Sequence, residues 1–161
     1  MRALFRYSRY GFAAAALLAL ATLQVSGAVS FFGLVPNLVL SALVALLFYF
    51  ESFGEILLLS GAALGVLNWT RGVSWELVAF AGAVCAVFVL KLFSHWHFII
   101  ETALLAGAAA IVFALLADPA YLFLFPARFG VELLYVELAA FLSLGVLMLV
   151  YGPPQNETRR A

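Results

Sequence analysis

Four polar side chains stand inside long apolar stretches of the chain and are the first candidates for chemistry. They are Asn68, Lys91, Glu101 and Glu137. A charge or carboxamide in apolar surroundings is costly unless it is paired, so each needs a partner or serves a function. The possible chemistries are a structural hydrogen bond, an ion pair, a proton site or contact with a polar ligand.

Lys91 and Glu101 are placed symmetrically about a predicted turn near Trp96, five residues before it and five after it. If the flanking segments form an antiparallel helical hairpin, both side chains lie at a similar depth and can form an ion pair. The alternative is that each extends separately to the nearest polar surface.

Glu137 has no evident partner in its own segment, because Arg128 and Glu132 can pair with each other nearby. Three interpretations stay open: Glu137 is protonated, it faces a polar ligand site, or it hydrogen-bonds Asn68 from another helix.

The sequence predicts no catalytic residues, no cofactor and no metal site. His95 and His97 are two residues apart, on different faces of any helix, and the only cysteine, Cys85, lies in an apolar run. A zinc site needs three or four convergent ligands. The chain also has no phosphate-binding glycine-rich loop, no metalloprotease His-Glu pattern and no convincing Ser-His-Asp arrangement. We therefore expect a protein that is not an enzyme.

The composition indicates that these residues are positioned by membrane helices. Of 161 residues, 67% are hydrophobic and 10% are charged, the net charge is zero, and the mean hydropathy is +1.17. Soluble domains carry about 25% charged residues, whereas lipid solvates apolar side chains directly. The zero net charge gives no support to nucleic-acid binding.

Apolar runs predict about six transmembrane helices in an all-α antiparallel bundle, because a helix crosses the hydrocarbon core with about 20 residues. The runs are 11–30, 36–50 (or 36–53), 55–69, 75–93, 98–117 and 130–151. The second and third are short for a full crossing. The segment 118–129 is aromatic and apolar, which is typical of a short interfacial or re-entrant piece. We thus predict a basic cytoplasmic stretch 1–10, a membrane domain 11–151 and a polar cytoplasmic tail 152–161.

Basic residues predict that both ends of the chain are cytoplasmic. With six crossings and this orientation, six basic residues lie inside and two lie outside, in keeping with the positive-inside rule. The inside group comprises Arg2, Arg6, Arg9, Lys91, Arg159 and Arg160, and the outside group Arg71 and Arg128.

The first segment has a competing interpretation as a secretory signal peptide. Arginines precede an apolar stretch that ends in Ser26, Gly27 and Ala28, which resembles a small-residue cleavage site. Cleavage there would give a mature chain beginning at Val29, whereas we expect the first helix to be retained.

Small residues at helical spacing predict close helix packing. Gly61 and Gly65 form a Gly-x-x-x-Gly pair in the third segment, and Gly107 belongs to an alanine-rich face of the fifth. Small residues let helix backbones approach closely, which favours association in lipid. We expect most of these faces to pack inside the bundle and some to receive a helix from another protein.

The segment 36–40, Pro-Asn-Leu-Val-Leu, and the segment 61–68, Gly-Ala-Ala-Leu-Gly-Val-Leu-Asn, are followed by Gly72. In this pattern, in its length and in its short loops, the chain resembles the bacterial rod-shape-determining protein MreD family. The specific motifs cover about residues 35–75. One departure is Asn68, which stands where an acidic residue is common in that family.

The resemblance implies a non-enzymatic scaffold of the cell-elongation machinery in the bacterial cytoplasmic membrane. The implied partners are MreC, the MreB cytoskeleton and the peptidoglycan synthases, and the implied fold is similar to the substrate-binding subunits of vitamin transporters. The alternative function is such a small-molecule transporter subunit. A pocket lined by Asn68 and Glu137 would favour transport, and a packed interior with an exposed apolar groove would favour scaffolding.

Overall fold

The computed structural model describes residues 2–30, 34–35, 37–50, 52–68, 74–94 and 96–154, with side chains from Ser8 onward. Helices make up 84% of these residues, and none of them forms a strand. The helices are α1 (Arg2–Ser26), α2 (Leu38–Leu46), α3 (Phe53–Leu67), α4 (Trp75–Phe93), α5 (Phe98–Ala117), α6 (Pro119–Leu124) and α7 (Pro126–Tyr151).

Four of these helices are long and apolar enough to cross a membrane: Ser8–Ser26 of α1, and α4, α5 and α7. The chain is therefore a multi-pass, all-helical membrane protein. Helix α3 is apolar but shorter, with 15 residues, and α2 has 9. At about 1.5 Å per residue α2 rises only about 14 Å, less than half of a hydrocarbon core of about 30 Å.

Helix α2 occupies the centre of the bundle because it is apolar on every side. Its eight residues from Val39 to Leu46 are all buried, including Ser41, and it contacts α1, α3, α4, α5 and α7. A helix that has no polar face is stabilised by burial on every side. The buried Ser41 hydroxyl donates to the Asn37 carbonyl oxygen at 2.9 Å, which satisfies the hydroxyl within its own helical turn.

Contacts between helix ends show which ends of α1, α2, α4, α5 and α7 lie together. At one end, named the terminal end, the start of α1 meets the end of α7: the Tyr151 hydroxyl donates to the Arg9 carbonyl oxygen at 2.9 Å. There the Tyr49 hydroxyl, just beyond α2, donates to the Gly152 carbonyl oxygen at 3.0 Å. At the opposite end the Trp75 indole N–H donates to the Leu116 carbonyl oxygen at 2.7 Å, which joins the start of α4 to the end of α5.

Two glycines end long helices with left-handed backbone. Gly27 follows α1 at φ 66° and Gly152 follows α7 at φ 80°, and the Gly152 N–H donates to the Met148 carbonyl oxygen at 2.9 Å. Glycine adopts this conformation without the strain of a β-carbon, so both helices stop there.

The observed bounds match the predicted fourth and fifth helices and differ for the others. Helix α1 starts at Arg2 and so includes residues 2–10 of the predicted basic stretch, while α2 is shorter than the predicted 36–50. Helix α7 starts at Pro126 rather than at residue 130, because proline is well tolerated in a first helical turn. The predicted interfacial piece contains the short helix α6. Pro36, Arg71, His95 and the tail 155–161 lie outside the described residues.

The fold predicts that added volume on the inner face of α1 is destabilising. Ala13 is fully buried, whereas Ala15, two residues along the same helix, is exposed. We expect Ala13→Leu to lower the free energy of unfolding by about 1–3 kcal/mol, as overpacking of a close-packed core does. The matched variant Ala15→Leu should change it by less than about 0.5 kcal/mol. Unfolding titrations in mixed micelles measure both, and equal effects would contradict the assignment of the inner face.

Candidate binding recess

The short central helix leaves an open space at the end of the bundle opposite the terminal end. Helix α7 has 26 residues and α5 has 20, so both extend well beyond the first turn of the 9-residue α2. The N-terminus of α2 therefore forms the floor of a depression walled by the longer helices. We name this depression the recess and its side of the bundle the recess end.

Two carboxamide side chains cap the floor of the recess. The Leu40 N–H donates to Asn37 Oδ1 at 3.1 Å, and the Val39 N–H donates to Gln24 Oε1, from α1, at 3.2 Å. These bonds satisfy two of the N–H groups that a helix N-terminus leaves open. Because each carboxamide accepts through its oxygen, its NH₂ group is left as a donor at the floor.

Two adjoining cavities make up the recess, with volumes of about 470 and 480 Å³. They share Gln24, Val35, Asn37, Glu76 and Phe113 in their walls. The first, between α5, α6 and α7, is also lined by Asp118, Tyr121, Phe129 and Glu132. The second, between α3 and α4, is also lined by Asn68, Ser74, Leu77 and Phe80. Each volume lies within the range of small-molecule sites, about 300–1,000 Å³.

The polar wall of the first cavity is held in place by α6. Asp118 caps this helix by accepting from the Tyr121 N–H at 3.3 Å. The Tyr121 hydroxyl oxygen is buried and has no hydrogen-bond partner among the described residues. Burial raises the pKa of Tyr121, and the nearby Glu132 carboxylate raises it further, although the two groups are not in hydrogen-bonding geometry. The phenol is therefore neutral and remains available to donate a hydrogen bond.

Of the four polar residues singled out from the sequence, Asn68 lies on the recess. Its side chain lines the second cavity at the end of α3. Glu137 lines neither cavity. Its carboxylate packs over Gly107 of α5, where an added β-carbon would be 3.6 Å from Oε1. The proposed contact between Asn68 and Glu137 is thus not made across the recess.

Lys91 and Glu101 lie together at the terminal end, away from the recess. Glu101 is 5% exposed in the first turn of α5, and Lys91 is in the last turn of α4. The Lys91 ammonium nitrogen sits 4.5 Å from the centroid of the Phe48 ring, a cation–π arrangement. An ion pair between Lys91 and Glu101 stays a prediction.

The residues that sequence reasoning did not select are the acidic and carboxamide groups near helix ends. Gln24, Glu76 and Asp118 each lie in or beside a terminal turn, where polar side chains are ordinary and attract no notice. The sequence could have indicated them through their positions along the helices. If successive helices alternate in direction, as predicted, all three residues lie at the same end of the bundle.

The glycines singled out from the sequence lie in two kinds of place, either between helices of the bundle or on its outer surface. Gly107 faces α7, where its β-position would also be 4.0 Å from Leu133. Gly61 and Gly65 are exposed on α3, and a β-carbon added to either would meet nothing within 4 Å. The Gly-x-x-x-Gly pair therefore packs against no helix among the described residues of this chain.

Compared with known proteins, the chain matches no family model, no curated protein and no solved structure. The recess and the exposed glycine pair of α3 are the two candidate functional surfaces of the chain. Among the described residues, no group of three or more His, Cys, Asp or Glu side chains is arranged to hold a metal ion.

The capped floor predicts a specific stability effect. Replacing Asn37 by alanine removes the side-chain acceptor of the Leu40 N–H, and loss of such a cap costs about 0.5–2 kcal/mol. The Asn37→Ser variant keeps an acceptor at this position and should retain most of the stability. Denaturant midpoints in mixed micelles compare the two. Equal destabilisation by alanine and serine would show that the side-chain cap is not what stabilises the floor.

Proposed function

We propose that this chain is a non-enzymatic scaffold of the bacterial cell-elongation machinery, as its resemblance to the MreD family implies. It would lie in the cytoplasmic membrane and bind partner membrane proteins, an MreC-like protein and the peptidoglycan synthases among them. The observation that carries the proposal is the unpacked outer face of α3.

The outer face of α3 consists of Leu58, Gly61, Ala62 and Gly65, which recur at three- and four-residue steps and share one side of the helix. Leu58 is 72% exposed. The opposite side, with Ile56, Leu59, Ser60 and Ala63, is buried against the bundle, where α3 packs mainly on α1.

A groove made by two glycines beside a prominent leucine suits a second helix more than it suits lipid. Small residues allow two backbones to approach, so that van der Waals contacts and weak backbone hydrogen bonds can form. Lipid chains are as apolar as leucine, so hydrophobicity alone does not favour a partner there. We therefore assign this face to a transmembrane helix of a partner protein.

We also propose six crossings with both chain ends in the cytoplasm. The contact between Tyr151 and Arg9 supports this, because it places the start of α1 and the end of α7 on the same side of the bundle, as an even number of crossings requires. Helix α2 is short, but Val35 and Asn37 line the recess before it, and Phe50 packs at the terminal end after it. Non-helical backbone is tolerated at membrane depth where it is enclosed by protein or lines a cavity.

The second candidate is a small-molecule-binding subunit of a transporter, and the recess is the observation in its favour. Asn68 lines it, as that hypothesis requires, but Glu137 does not. The scaffold keeps precedence because the sequence motifs that carry the family resemblance include the glycine pair of α3.

The glycine face provides the test. Gly61→Leu and Gly65→Leu fill the groove, and because a β-carbon at either position meets no atom within 4 Å, the fold should be retained. We expect the recovery of the MreC-like protein, in affinity purification from native membranes, to fall at least about fivefold, since an overpacked helix interface loses roughly 1–3 kcal/mol.

Gly145→Leu is the matched control, because Gly145 is also an exposed glycine of a long helix with nothing within 4 Å of its β-position. It should leave recovery unchanged. Equal losses from all three variants would show a non-specific effect, and recovery of an ATPase module from the unmodified protein would overturn the scaffold proposal in favour of transport.

A further inference from the structure

We propose that two copies of this chain associate in the membrane through a groove between α5 and α7, where the Glu137 carboxyls of the two copies hydrogen-bond to each other. Among the described residues α3 contacts neither α5 nor α7, so this surface is separate from the outer face of α3. The inference does not depend on the proposed scaffold function. It is carried by the depth of Glu137 in the membrane, by its lack of a partner within the described chain, and by the shape of its surroundings.

Glu137 lies at the middle of the membrane-spanning bundle. Its carboxylate packs over Gly107, which is the tenth of the 20 residues of α5. A helix of this length rises about 30 Å and matches the hydrocarbon core, so Gly107 and the carboxylate beside it are about 15 Å from either surface. This distance is greater than the reach of a glutamate side chain, so Glu137 does not extend to the headgroups as a residue near a helix end does.

The Glu137 carboxyl makes no hydrogen bond or ion pair with a described residue of its own chain. The recess does not reach it, since Glu137 lines neither cavity. A polar group in hydrocarbon is costly without a hydrogen-bond partner, and lipid chains offer none at this depth. Because the side chain is only half-buried, part of it is open at the surface of the bundle, where a group from outside the chain can reach it.

The surroundings of Glu137 form a groove with apolar edges, which we name the α5–α7 groove. Each of the two helices contributes a central residue and the residues three before and four after it, a spacing that keeps all three on one side of a helix. The groove is lined by Leu134, Glu137 and Phe141 of α7 and by Leu104, Gly107 and Ile111 of α5. The four flanking side chains are 36–58% exposed. Gly107 has no side chain, so the space between the flanks stays open beside the carboxyl.

A second copy of the chain supplies a polar partner at the right depth. Two copies inserted in the same direction are related by a twofold axis along the membrane normal, and residues at that axis meet their own equivalents. The second Glu137 is therefore level with the first, whereas a helix of another protein would need a polar side chain of its own at this level. A carboxyl in hydrocarbon avoids the cost of ionisation by keeping its proton. A protonated carboxyl is both a donor and an acceptor, so each of the two can donate to the other.

The experiment measures how the purified full-length protein associates at increasing dilution in vesicles of phosphatidylcholine and phosphatidylglycerol, with copies counted by single-molecule photobleaching. We expect a reversible dimer. Glu137→Leu should weaken it at least about fivefold, as loss of hydrogen bonds between membrane helices does. Glu137→Gln keeps a donor and an acceptor and should stay within about twofold of the unmodified protein.

Leu142→Ala is the matched control. Leu142 is 72% exposed on the same helix, and it lies one residue beyond Phe141 and so on a different side of α7. Its replacement should leave the dimer unchanged.

Cross-linking locates the interface. In protein with Cys85 replaced by alanine, Leu134→Cys marks the α5–α7 groove and Leu58→Cys marks the outer face of α3. We expect disulfide-linked dimers from Leu134→Cys and none from Leu58→Cys.

Four results would overturn the proposal. They are a monomer at every dilution, a dimer that Glu137→Leu leaves unchanged, equal weakening by Glu137→Gln and Glu137→Leu, and cross-linking through Leu58→Cys without cross-linking through Leu134→Cys.

Discussion

The burial of α2 is the constraint on which the rest of the structure depends. A 9-residue helix with no polar face can exist at the centre of a membrane protein only if other helices surround it. Five helices do so, and four of them, α1, α4, α5 and α7, are long and apolar enough to cross a membrane. The difference in length between α2 and its neighbours leaves space at one end only. At the terminal end, the chain continues from α2 into a packed turn. A recess at the other end is the necessary consequence.

The two ends of the bundle are stabilised by different interactions. At the terminal end, tyrosine hydroxyls bond backbone carbonyls of other helices, and rings pack in pairs such as Tyr10 with Phe50 at 5.2 Å and Tyr49 with Tyr151 at 5.5 Å between centroids. At the recess end, two carboxamide side chains cap the N-terminus of α2.

Much of the fold could be predicted from hydrophobicity alone, and the reasons for the failures are physical. Helices α4 and α5 were predicted at their observed bounds because the polar pair Ser94 and His97 interrupts the apolar run between them. The length of α2 could not be predicted, since residues 47–50 are as apolar as the helix. Their turn is fixed by packing at the terminal end, which hydropathy does not report.

The candidate site was less predictable than the fold. Asn68 was identified because a carboxamide in an apolar stretch is conspicuous, and it lines the recess. Glu137 was equally conspicuous but packs over Gly107, a contact that depends on how α5 and α7 rotate against each other. Glu76 and Asp118 sit at helix starts, where acidic residues are common for reasons unrelated to ligands. Glu76 and Asp118 line one cavity only because α2 is shorter than the helices around it.

The most direct test of this account is the solvent accessibility of the recess from outside the cell. Val35 lines both cavities and is 45% exposed, and Ser52 is exposed at the terminal end. Single cysteines at these positions, with Cys85 replaced by alanine, are treated with a membrane-impermeant maleimide. In intact cells whose outer surface is accessible to the reagent, we predict labelling of Val35→Cys, and labelling of Ser52→Cys only after permeabilisation. Protection of Val35→Cys together with labelling of Ser52→Cys in intact cells would contradict both the open recess and its orientation.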